Sequence, residues 1–109
     1  MSAPTKSAAP VLAVLEALCG YAANGATNKD LAAACRTTPV AITRATQTLI
    51  DYGWCRKAED TGRFYPTTQF TRLVFRVHDD FDRAIERMQE QRRAMTGVTS
   101  DAETRALFG

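Results

Sequence analysis

Two side chains near the middle of the chain have the shape to read a base pair. Arg44 carries a planar guanidinium and Gln47 a planar amide, three residues apart, which puts both on one face if the segment is helical. A guanidinium can pair with O6 and N7 of guanine, and an amide with N6 and N7 of adenine, each through two hydrogen bonds. Around them Val40 and Ala41 can offer apolar contact to a thymine methyl, and Thr43 can reach a base edge or a phosphate. Just upstream, Thr37 and Thr38 can donate to a phosphate at a helix N-terminus. The plainer reading of the same residues is the solvated face of a surface helix.

Other chemistry is poorly supplied. The three cysteines, Cys19, Cys35 and Cys55, show no C-x-x-C spacing and read as small buried hydrophobes of a reducing compartment. His78 lies beside Asp79 and Asp80, but adjacent helical positions diverge, so no metal and no cofactor is expected there. No nucleophile, base and orienting residue can be assembled, and no enzyme is expected.

What would position Arg44 and Gln47 is a pair of helices within residues 27–49. Thr38 has the hydroxyl of an N-cap and Pro39 the φ suited to the first helical position, so a helix is expected from Pro39 to about Tyr52, stopping at Gly53. Its inner face would be Ile42, Ala45, Leu49 and Ile50, with Val40, Ala41, Thr43, Arg44, Gln47 and Thr48 outward. A shorter helix, capped by Thr27 and Asn28, should precede it and run to about Arg36 with Leu31, Ala32 and Cys35 inward. So tight a turn forces the two helices to cross at a large angle, the helix-turn-helix arrangement, with the second as recognition helix.

Upstream, a first helix is expected from Ser7 or Ala9, with Pro10 in its first turn, to about Ala23. Val11, Leu12, Leu15, Leu18, Cys19 and Ala22 would form its apolar stripe, and Asn24 and Gly25 its stop. After Gly53 the pattern changes to alternation: residues 54–58 and 63–65 read as strands about a turn at 59–62, with Pro66 at a strand end. Arg56, Lys57 and Arg63 on this hairpin could meet phosphates or a minor groove.

From Thr68 a helical period returns through Phe70, Leu73, Val74, Val77, Phe81, Ile85, Met88 and Met95. A helix from about Gln69 to Thr96, ending at Gly97, would extend roughly 40 Å at 1.5 Å per residue. Its first half is expected to pack on the preceding domain. Its second half, through Val77, Phe81, Ile85 and Met88, should meet a second subunit. Ser100 and Glu103 have capping-box spacing ahead of Ala106, Leu107 and Phe108, room for a last short helix. The organisation expected is a flexible N-terminus at 1–7, a helix-turn-helix domain with its hairpin at 8–67, a dimerising helix at 68–97 and a tail at 98–109.

Length and composition agree with this size. At 109 residues the chain is one domain's worth, with no room for a separate small-molecule effector domain. Its 45% hydrophobic and 24% charged residues are ordinary for a folded protein. A net charge of +2 neither implies nor excludes a nucleic-acid partner, so the placement of the cations decides. The most apolar stretch, 11–23, is interrupted by Glu16 and too short to span a bilayer, and a cytoplasmic protein, nucleoid-associated when on DNA, is expected.

Leu31, Ala32, Thr38, Ile42, Thr43, Arg44 and Leu49 follow the general helix-turn-helix spacing, and Gly53–Trp54–Cys55–Arg56–Lys57 with Thr61–Gly62–Arg63–Phe64–Tyr65 continue it. From about Val11 to Thr67 the chain resembles the winged helix-turn-helix domain at the N-terminus of IclR-type transcriptional regulators. The resemblance implies a mainly α fold with a small β-hairpin, followed here by a long C-terminal helix. It also implies a sequence-specific regulator that binds double-stranded DNA as a homodimer on a palindromic site. Arg36 stands where that family usually has a glycine, Ala41 where Thr or Ser is commoner, and Thr46 where an aliphatic core residue is usual. The rival from another class is a winged-helix interaction module that binds protein and not DNA, favoured by the low net charge and the plain Val40, Ala41, Thr46 and Thr48.

Overall fold

The structure is a computed structural model and describes residues 8–97. It is mainly helical, in the order α1 (Ala8–Cys19), α2 (Asn28–Cys35), α3 (Pro39–Asp51), β1 (Cys55–Lys57), β2 (Phe64–Pro66) and α4 (Thr68–Thr96). No described helix is long and apolar enough to cross a membrane. The expected N-terminal segment 1–7 and the expected short helix after Ser100 lie outside the described residues.

Two compact units divide between Arg72 and Leu73, five residues later than the boundary expected at 67/68. The difference has a local cause. The Thr67 hydroxyl donates to the Gly53 carbonyl at 2.6 Å and accepts from the Phe70 N–H at 3.1 Å. The Phe70 ring lies 5.9 Å from that of Trp54. The first turn of α4 is therefore bonded into the hairpin end of the first unit.

Within that unit α1, α2 and α3 pack on one another. Val14 and Leu18 of α1, Leu31 and Ala32 of α2, and Ile42, Ala45 and Leu49 of α3 close a core completed by Ala26, Cys55 and Phe64. Fully buried Leu18, Leu31, Ile42 and Leu49 each contribute roughly 1.5–3 kcal/mol of burial. Thr46 lies in the same core at 2% exposure, and its hydroxyl donates to the Ile42 carbonyl at 2.8 Å and the Thr43 carbonyl at 3.1 Å. The helix's own carbonyls thus satisfy the one polar group at a position where an aliphatic residue is usual.

α1 differs from expectation at its end and on its face. It stops at Cys19, not near Ala23. Gly20, a poor helix former, follows. There the ladder tightens to short-range bonds, Gly20 N–H to the Ala17 carbonyl and Tyr21 N–H to the Leu18 carbonyl, before Gly25 closes the turn at φ +75°. The buried positions are Val14 and Leu18, flanked by half-buried Val11 and Leu15, while Leu12, Cys19 and Ala22 are exposed. An apolar run this dense is compatible with several stripes, and the position of α2 and α3 selects the one through Val14. Of the cysteines only Cys55 is buried; Cys35 is half-buried.

α2 begins in a full capping box: the Thr27 hydroxyl accepts from the Asp30 N–H and the Asp30 carboxylate from the Thr27 N–H, both at 3.0 Å. It ends in a Schellman closure, with Arg36 N–H to the Ala33 carbonyl and Thr37 N–H to the Ala32 carbonyl. Arg36 takes the left-handed conformation, φ 53° and ψ 50°, and is the one non-glycine residue with positive φ among those described. α3 starts as its sequence indicates, with Thr38 accepting from the Ala41 N–H at 3.2 Å and Pro39 at the first helical position.

β1 and β2 pair antiparallel in the register Cys55↔Pro66, Arg56↔Tyr65, Lys57↔Phe64. Pro66 ends its strand, where its missing N–H does no harm. The free edge of β2 is partly paired as well. Phe64 exchanges both backbone hydrogen bonds with Ala26, at 2.8 and 2.9 Å, so the α1–α2 connection forms a one-residue third rung.

α4 leaves its stripe open. Beyond Arg72 no residue of the helix is buried. Leu73 and Val74, in the half of the helix expected to pack on the domain, are 37% and 46% exposed.

Candidate nucleic-acid interface

The outward face of α3 is set by its buried face: with Ile42, Ala45, Thr46 and Leu49 inside, Val40, Thr43, Arg44, Gln47 and Thr48 are exposed, while Ala41 is half-buried. These side chains are not equally free. The Arg44 side chain has no hydrogen bond or ion pair within the described residues, so all five guanidinium donors are available. Gln47 donates one amide hydrogen to Asp51 Oδ1 at 2.9 Å, one turn along the helix. Its oxygen stays open.

Thr43 is spoken for in both directions. Its hydroxyl donates to the Pro39 carbonyl at 3.0 Å and accepts from Asn28 Nδ2 at 3.2 Å. Thr48 donates to the Arg44 carbonyl at 3.2 Å. Val40, 61% exposed, is the apolar tip of the helix's first turn.

Asn28 was not among the residues singled out from sequence, where it served only as a possible cap. Its amide bridges the first turn of α2 to the first turn of α3, donating to the Pro39 carbonyl and to Thr43 Oγ1, both at 3.2 Å. The two helix starts are thereby held in register. Nothing in local spacing announces a contact across fifteen residues.

At the N-terminus of α3, Thr38 spends its oxygen on the cap and keeps its hydroxyl hydrogen; Thr37 is exposed with its N–H bonded to Ala32. Immediately before them sits Arg36, exposed, cationic and held in the left-handed turn. Sequence marked it as a missing glycine. The structure presents it as an exposed cation whose backbone is held in the turn before α3.

The hairpin cations separate in character. Arg56 is exposed and lies over the Tyr65 ring, 4.3 Å from guanidinium carbon to centroid, a stacking that holds the fork in place while leaving its edge open. Tyr65 is fixed in turn by its hydroxyl, which donates to the Asn24 carbonyl at 3.3 Å. Lys57 is exposed, its ammonium 5.6 Å from the Phe64 ring centroid. Arg63 is half-buried, and its Nη1 donates to the Gly25 carbonyl at 3.3 Å. It ties the hairpin to the α1–α2 connection and has less to offer a ligand than Arg56 or Lys57.

The hairpin tip carries the opposite charge, Glu59 and Asp60, both exposed. Among the described residues, no hydrogen bond or ion pair joins the α3 side chains to the hairpin cations.

Two ionisable groups report on the scaffold. The Thr27 backbone and hydroxyl bonds hold the Asp30 carboxyl below its ordinary value, with Arg63 and Lys29 adding attraction. Burial pushes the Cys55 thiol up to about 11, so it is a protonated core group at neutral pH. Among the described residues no group of three or more His, Cys, Asp or Glu side chains is placed to hold a metal ion; His78 lies 6.1 Å, ring to ring, from Phe75 on its own helix.

Val77, Phe81, Ile85 and Met88, expected to meet a second subunit, are 51–68% exposed along α4. Phe75, 58% exposed, adds an apolar group off that stripe. Compared with known proteins, the chain matches no family model and no curated protein.

Proposed function

We propose that the chain is a winged helix-turn-helix transcriptional regulator of the IclR-type kind that binds double-stranded DNA, with α3 in the major groove and β1 of the hairpin on the backbone or the minor groove edge. The observation that carries this reading is Arg44, exposed and unpaired on the outward face of a helix whose start is fixed by Thr38, Pro39 and Asn28. A major groove admits such a helix, and a free guanidinium there selects guanine. Arg36 and Thr37 before α3, with Arg56 and Lys57 on β1, supply the phosphate contacts that fix register. Gln47 keeps its amide oxygen and a second amide hydrogen for adenine, while the bond to Asp51 restricts how it is aimed. Specificity rests mainly on Arg44, with Gln47, Val40 and DNA shape contributing. The exposed stripe of α4 supports a homodimer and hence a palindromic site.

Binding of a mixed-sequence duplex, followed by fluorescence anisotropy across salt concentrations, tests this. Detectable affinity at low salt should fall steeply with added salt. The log–log slope should be about −5 if Arg36, Arg56 and Lys57 of both copies each meet a phosphate. The second reading, a protein-binding module, is favoured by the acidic hairpin tip and the committed Thr43 and Thr48 hydroxyls. Absence of binding at low salt would select it.

A further inference from the structure

The stripe of α4 has a heptad register that specifies more than the presence of a second copy. Taking Val74, Phe81, Met88 and Met95 as the a positions, the d positions are Phe70, Val77, Ala84 and Gln91. The flanking g positions are then Leu73, Asp80, Arg87 and Ala94, and the e positions Thr71, His78, Ile85 and Arg92. Every one of these from Leu73 on is exposed except half-buried Ala84.

We infer that α4 pairs antiparallel with α4 of a second copy, Phe81 of each seated opposite Ala84 of the other. This rests on the dimer reading above and adds its orientation.

Two features favour antiparallel over parallel pairing. The first is volume. In a parallel pair like meets like, so Phe81 crowds Phe81 while Ala84 faces Ala84 across a void. In the antiparallel pair a faces d, and each bulky Phe81 fills the space left by an Ala84, with Val77 against Met88 in the next layer.

The second is charge. Parallel pairing sets g against e, which brings Arg87 of each helix against Arg92 of the other. Antiparallel pairing sets g against g, which brings Asp80 against Arg87 twice and leaves Leu73 beside Ala94. Arg87 has no ion pair in its own chain among the described residues. Asp80 has only an exposed contact with Arg83 at 3.9 Å, weak enough to be exchanged.

The register also sets a length. With Phe81 opposite Ala84, Phe70 lies opposite Met95, so the two copies of Phe70 are about 38 Å apart along the axis at 1.5 Å per residue.

Spin labels distinguish the arrangements. In a Cys19→Ser, Cys35→Ala background, Arg72→Cys and Arg83→Cys are labelled singly; both positions are exposed and outside the seam. Antiparallel pairing predicts labels at position 72 more than about 30 Å apart and labels at position 83 near 20 Å, because position 83 lies next to the two-fold axis. Short distances at both positions would overturn the antiparallel inference and leave the dimer standing. No dipolar coupling at either would overturn the dimer itself. Charge reversal gives an independent readout. Arg87→Asp should weaken dimerisation roughly tenfold by facing Asp80, with recovery in Asp80→Arg/Arg87→Asp. A parallel pair would instead tighten on the single change.

Discussion

Arg36→Gly should raise stability and lower DNA affinity at once. Arg36 occupies φ 53° and ψ 50° at the Schellman closure of α2. A side chain in that region costs about 1–2 kcal/mol, which glycine would relieve. Glycine in turn costs roughly 0.5–1 kcal/mol through the freedom it gains in the unfolded chain. The balance is a gain of about 0.5–1 kcal/mol, or a rise of a few degrees in Tm for a domain of this size. The side chain makes no contact that would offset this. On DNA the same change deletes one cation beside the start of α3 in each copy, and the salt slope should flatten by about 1 per copy. Urea titration and anisotropy on the same samples read both effects. Arg36→Asn separates them, since asparagine tolerates the left-handed region and carries no charge. A loss of stability in Arg36→Gly would refute the strained-turn reasoning. Unchanged affinity would remove Arg36 from the interface.

Arg44→Ala, at an exposed and unpaired position, should leave stability within about 0.5 kcal/mol. It should cost about 1–3 kcal/mol in affinity for a preferred site and relax the preference at one base pair, whereas Lys57→Ala should weaken all sequences alike; equal effects from both, measured by competition binding, contradict base reading by α3. The Cys55 thiol is held up to about 11 against an ordinary 9.0. Its folded form keeps the proton more tightly, so its contribution is complete below pH 9 and is lost as pH rises from there towards 11, a decline in urea midpoint that Cys55→Ala should lack. At neutral pH exposed Cys19 should alkylate in the native protein and Cys55 only on unfolding. The Asp30 carboxyl, held below 3.8 by Thr27, contributes above that value and loses its contribution as pH falls through its folded pKa; circular dichroism at acid pH should show Asp30→Asn less pH-sensitive than the parent.

Local chemistry made much of the fold legible. Thr38–Pro39, the Thr27 cap and the glycines at 25, 53 and 97 act through neighbours within a turn, and α2, α3, the hairpin and α4 fall close to where those residues put them. What escaped depends on distant partners. The phase of α1 follows α2 and α3, so Val14 displaces Leu12 from the core. The Ala26 rung needs Phe64, and Thr43 loses its freedom to Asn28. On the candidate face, residue type gave the capacity to contact DNA but not its availability. Arg44 kept both, Gln47 and Arg63 were partly committed within the chain, and Arg36, which read as a defect, stands exposed at the left-handed turn before α3.

Selection of bound sequences from a random duplex pool tests the central claim most directly. The expected result is an enriched palindrome with a guanine at a fixed place in each half-site and half-sites about one helical turn, or a multiple of it, apart, lost at that guanine when Arg44→Ala is selected in parallel. Recovery of the unenriched pool by a protein that is folded and dimeric would contradict sequence reading by α3.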